Sequence, residues 1–128
     1  MDHPGLITTA RLLVKRIELS RPDLDAGTVG SALLTASGRL CSGICVSLTC
    51  GLGTCAEHAA VLEMLKHGET HIAKIVAVSR KGILPPCGRC RELLVQVDRR
   101  NFATEVILGD DRTVHLGELL PAHWMNTD

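Results

Sequence analysis

Two short stretches hold residue types that can do chemistry together, Thr54-Cys55-Ala56-Glu57 and, further along, Pro85-Pro86-Cys87-Gly88-Arg89-Cys90. They read as C-x-E followed by P-C-x-x-C, three thiols and one carboxylate. Three thiolates on a zinc ion leave its fourth position for water, the arrangement of a catalytic rather than a closed structural site. Glu57, two positions from Cys55, is placed to move the protons of that water instead of binding the metal. The chemistry this supports is attack of water on an amidine carbon with loss of ammonia.

Thiols bind metal as thiolates, and a helix N-terminus favours that form through its unpaired amides. The elements that must position these residues are therefore two helix starts. Thr54 is placed as N-cap of a helix over Cys55 to His67 whose apolar residues, Ala59 to Leu62, Met64 and Leu65, run nearly all round it, as in a buried helix. Pro86 suits the first turn of a second helix, which sets Cys87 and Cys90 on one face and continues to about Arg100. Three thiolates make a negative centre, so donors near the sulfurs are needed; Arg91 and the first-turn amides are the candidates.

Around these helices the chain reads as an amphipathic helix from Leu6 to Leu19, a strand pair over Thr28 to Thr35 and Leu40 to Thr49 with a turn at Ala36–Arg39, and a central strand from Ile72 to Ser79. Two further strands, near Thr104 to Leu108 and Thr113 to Leu116, precede a short helical piece at Glu118 to Leu120. That order predicts an α/β domain with one mixed five-stranded sheet covered by helices. At 128 residues, with no linker or repeat, residues 1–128 are expected to form a single domain.

Charge is balanced, 14 Lys+Arg against 14 Asp+Glu, which provides no phosphate-seeking field and argues against a nucleic-acid partner. No apolar run has membrane-spanning length and no leader pattern opens the chain, so a cytoplasmic protein without a membrane partner is expected. The C-x-x-C pair among six cysteines then argues for metal chemistry over disulfides. With 45% hydrophobic residues but one Phe, one Trp and no Tyr, part of the aliphatic surface is expected to lie in an oligomer.

The two motifs resemble those of the zinc-dependent cytidine deaminase superfamily, where His or Cys precedes x-E and P-C-x-x-C follows. Cys rather than His before Ala56-Glu57, and the run Pro86 to Arg91, are most similar to its small free-nucleoside members, cytidine deaminases and blasticidin-S deaminase. The resemblance spans Thr28 to Pro121. It implies a three-layer α-β-α fold, zinc on Cys55, Cys87 and Cys90, a proton shuttle at Glu57, and a homotetramer acting on a nucleoside or other small amino-heterocycle. It further places the backbone of Ala56 at the substrate's pyrimidine edge and the carbonyl of Pro85 near the departing amine.

The chain departs from the family pattern in four respects. Gly27 stands near a usual Phe, Cys45 and Ser47 where Asn and Glu read the ribose hydroxyls, His58 where an Arg donates to thiolates, and Trp124 nearest the C-terminal aromatic that reaches substrate. The catalytic parts are kept while the sugar-reading parts differ. The substrate expected is cytidine, deoxycytidine or a modified cytosine nucleoside, with another amino-heterocycle as the alternative. A non-catalytic zinc domain, closed by His58 or Cys50 as fourth ligand, is the competing reading from another class.

Overall fold

Two strands that both run antiparallel to a third run parallel to each other, and this arrangement brings the two motifs together. In the computed structural model, which describes residues 1–126, β2 (Asp25–Thr35) pairs antiparallel with both β3 (Leu40–Ser47) and β4 (Ile72–Ser79). β3 and β4 consequently end at the same edge of the sheet. The helices that follow them, α2 (Ala56–Lys66) and α3 (Gly88–Val97), begin at that edge with their N-termini side by side.

The central strand is β4, as its continuous apolar run predicts. It lies between β2 and β6 (Glu105–Gly109), parallel to the latter, with α3 in the crossover. β7 (Arg112–His115) closes the far edge. Alternate residues of the strands face opposite ways. Leu33, Ile75 and Val106 pack with Val61 and Met64 of α2 and Leu94 and Val95 of α3. Ala32, Val76, Val78 and Ile107 pack with Leu6, Ile7 and Ala10 of α1 (His3–Leu12) on the other face. The result is the expected three-layer α-β-α domain.

Among the described residues the sheet has seven strands rather than five, because two short segments pair at its margins: β1 (Ile17–Glu18) on the start of β2, and β5 (Gly82–Leu84) on the end of β4. The first of these also corrects the expected helix. α1 stops at Leu12, the amide of Lys15 donates to Gly27 O at 2.9 Å, and Ile17 and Leu19, which extended the helical spacing, are 43% and 39% exposed. Gly27 has φ +83°, and a Cβ there would stand 2.1 Å from Lys15 O. The crossing of this segment is why no Phe can occupy that position.

α3 likewise ends at Val97, short of Arg100, where Asp98 turns extended and caps a 3-10 helix over Arg99–Ala103. Asn101, fully buried, then fastens the end of α3 to the start of β4, accepting from Ile72 N at 2.8 Å and donating to Leu94 O at 2.8 Å. The Asp98 carboxylate accepts from Thr70 Oγ1, Arg100 N and Arg100 Nη2, each at 2.8 Å, and the Arg100 guanidinium holds its pKa well below the usual carboxylate range. A depressed pKa contributes stability above the unfolded value, which disappears as pH falls through it. Asp98→Asn is expected to cost about 1–2 kcal/mol at neutral pH, discounted for the exposed arginine. Urea titrations of the two proteins should converge as pH falls below about 4.

Candidate active site and metal centre

At the shared edge of the sheet Cys55 is the N-cap of α2 and Cys87 the N-cap of α3, each with extended backbone, while Cys90 lies one turn inside α3. Their three Sγ atoms lie within 4.8 Å of one another, and those of Cys55 and Cys87 are 3.5 Å apart. Tetrahedral zinc with Zn–S of about 2.3 Å puts sulfurs about 3.8 Å apart, so this donor set fits the ion. Among the described residues the cluster contains no fourth Cys, His, Asp or Glu. Cys50, on an exposed turn, contacts Thr49 Oγ1 instead, and His58 lies outside the cluster.

The thiols differ in character. Burial pushes Cys90 far above the ordinary thiol range, with the Glu57 charge adding to it, and burial also raises Cys55. At Cys87 burial acts in the same direction but is outweighed by the Cys90 and Arg89 amides and the neighbouring thiols, so this group is lowered. The first-turn amides of α3 thus favour the thiolate form of Cys87. Arg91 takes a different part: its Nε donates to Pro86 O at 2.8 Å and its Nη1 to Leu119 O at 3.4 Å, holding the strand-to-helix loop beside Cys87 rather than a sulfur.

Glu57, 6% exposed at the first turn of α2, is raised by that burial and partly offset by its own backbone amide. The N-cap is Cys55 rather than Thr54. Thr54 is instead bridged to Val46, N–H to O at 3.0 Å in both directions, and its buried Oγ1 has no partner. Glu57 lines a cavity at this edge of the sheet.

That cavity, about 360 Å³, is lined by Cys55, Glu57 and Cys87, by Pro85, Ala77 and Leu84, and by Thr28, Cys45, Ser47 and Thr54. Cys45 Sγ accepts from Val29 N at 3.3 Å and shares a 3.3 Å hydrogen bond with Thr28 Oγ1. Ala56 is fully buried in the helix start. Trp124 is outside the cavity lining, its Nε1 donating to Glu92 Oε2 at 3.1 Å on the outer side of α3 and its ring beside His123. Thr28 and Thr54 were not selected from the sequence. Their signal was position, one facing Cys45 across the strand pair and the other preceding a ligand cysteine.

α2 sits directly on β3 at Gly43, where a Cβ would lie 2.5 Å from Ala59 Cβ and 2.6 Å from Ala60 N. Gly43→Val must push away the helix that carries Cys55 and Glu57. We expect a loss of about 3 kcal/mol, the upper part of the overpacking range, and weaker zinc retention in dialysis against a chelator.

Residues 6–106 match the family model for the cytidine and deoxycytidylate deaminase zinc-binding region. The chain belongs to the zinc-dependent cytidine deaminase superfamily. It is 31% identical to a cytidine deaminase of Halalkalibacterium halodurans over 106 residues, covering 78% of this chain and 79% of the relative. With a cytidine deaminase of Mycobacterium tuberculosis it shares 34% identity over 96 residues, 73% of this chain and 69% of the relative. Among solved structures, the cytidine deaminase of Burkholderia pseudomallei superposes with a TM-score of 0.77 at 29% identity, over 97% of this chain and 100% of the other. That of M. tuberculosis gives 0.72 at 30%, covering 94% and 92%. The chain is thus a zinc-dependent hydrolase of a C–N bond, and no helix among the described residues is long and apolar enough to cross a membrane.

Proposed function

We propose that this chain is a single catalytic domain that hydrolytically deaminates a cytosine nucleoside or a modified one, with Cys55, Cys87 and Cys90 holding zinc. The observation that carries this reading is the buried Glu57 in the lining of the same cavity as Cys55 and Cys87. Zinc bound there supplies the Lewis acidity that makes a water nucleophilic at neutral pH. Glu57 takes the proton of the attacking water and returns protons to the ring nitrogen and the leaving amine. The amidine C–N bond breaks, ammonia leaves, and a carbonyl oxygen from water replaces it. Pro85, also in the lining, faces the departing amine through its carbonyl, and the Ala56 backbone supports the ring edge. The apolar walls at Val29, Ala77 and Leu84 exclude competing water.

Ammonia release from cytidine, deoxycytidine, blasticidin S and free amino-pyrimidines and amino-purines, with the zinc-loaded protein, tests the reading. Turnover of a cytosine nucleoside supports it; turnover of only an unrelated amino-heterocycle moves the substrate and keeps the reaction. The structural-zinc alternative is disfavoured by the absence of a closing ligand in the cluster among the described residues.

The oligomer belongs to the same proposal. Leu62 and Leu65 of α2 are 54% and 38% exposed and Leu52, in the loop before it, 70%, an apolar surface that a second copy would cover. A homotetramer is expected at micromolar concentration, and Leu62→Glu should shift sedimentation to smaller species. The six thiols, all free in the structure, suit a reducing, cytoplasmic setting.

A further inference from the structure

The cavity has only two formally charged residues in its lining, Glu57 and Arg89, and they do different things. Glu57 is buried, whereas the Arg89 side chain stands exposed in the first turn of α3 with neither a hydrogen bond nor an ion pair to another described residue. The lining residues from β2, β3 and the loop before α2, where the ribose would be read, are neutral. Thr28 and Cys45 satisfy each other and the Val29 amide, and Ser47 and Thr54 offer hydroxyls. Among them is neither a carboxylate nor an amide side chain that could accept from a vicinal diol. At about 360 Å³ the space is at the small end of ligand pockets, about 300–1,000 Å³, enough for a heterocycle and a short arm.

Resting on the deaminase reading above, we infer that the preferred substrate is an amino-pyrimidine whose ring substituent carries an anionic group, a carboxylate or a phosphate, which Arg89 pairs at the cavity mouth. A guanidinium presents a planar fork that matches either oxyanion with two parallel hydrogen bonds. The neutral lining residues neither repel the anion nor reward a sugar diol. Specificity then comes from one charge at the rim instead of hydroxyl readout from the strand.

The test compares cytosin-1-ylacetate with its neutral isostere cytosin-1-ylacetamide, and deoxycytidine 5′-phosphate with deoxycytidine. Wild type is expected to favour the anionic member of one pair by about tenfold in kcat/KM, the effect of one charge-assisted interaction. Which pair shows the preference separates carboxylate from phosphate. Arg89→Gln should bring that ratio close to unity, and Arg89→Lys should restore part of it. The same ratio measured as Kd by calorimetry on Glu57→Gln reads the preference without chemistry. Equal or inverted ratios in wild type, or a ratio unchanged in Arg89→Gln, would overturn the inference while leaving the deaminase reading intact. Absence of turnover throughout, with an anionic preference still seen in Kd, would instead overturn the deaminase reading.

Discussion

Glu57→Gln should retain its zinc and lose turnover on the order of 10³-fold or more, the upper part of the range for a proton-transfer group. The substitution preserves shape at a site only 6% exposed, so packing at the start of α2 should be undisturbed. What disappears is a group able to accept a proton from water and return it to nitrogen. The effect belongs in kcat, because the carboxamide still occupies the cavity wall and still hydrogen-bonds. Metal analysis and melting temperature beside the rate separate this from collapse of the site. A variant that turns over at wild-type rate would make the carboxylate a structural group and return the domain to a non-catalytic zinc fold.

Cys90→Ser should have the largest combined effect, removing both metal and stability. Cys90 is 1% exposed, enclosed between the sheet and the first turn of α3, and a hydroxyl there is a poorer zinc ligand than thiolate. With two sulfurs left, zinc should fall well below one per chain and activity should become undetectable. Because metal binds the folded state, wild type should also lose stability on chelation, by about 2.7 kcal/mol if zinc had been held at a hundredfold its Kd. Cys90→Ser should be insensitive to the chelator. Zinc at full stoichiometry in the variant would mean that the ion sits elsewhere.

Much of this site was readable because its chemistry is local in sequence. C-x-x-C at a helix start leaves little freedom in where two sulfurs go, and C-x-E puts a carboxylate two positions after the third. The convergence of the two motifs was less local. It depends on β3 and β4 both opposing β2, which the hydrophobic runs over Leu40–Thr49 and Ile72–Ser79 permit but do not by themselves dictate. Spacing misled at Ile17, which continues a helical period but sits exposed on an edge strand. β5 was missed since three residues carry too little pattern. Arg91 was assigned to sulfur from adjacency alone, whereas a side chain of that length reaches the carbonyls of Pro86 and Leu119. Trp124 could be placed only once the chain after Pro121 was seen to fold against Glu92. Asn101 gave no signal at all, because a buried polar residue is recognisable only through its partners.

Mass analysis of the product formed from cytidine or deoxycytidine by the zinc-loaded protein in water enriched with heavy oxygen tests the central claim most directly. The account predicts a keto product with one heavy oxygen at the former amine carbon and one ammonia released for each. A protein that holds one zinc per chain yet yields no labelled keto product from any amino-pyrimidine would contradict it.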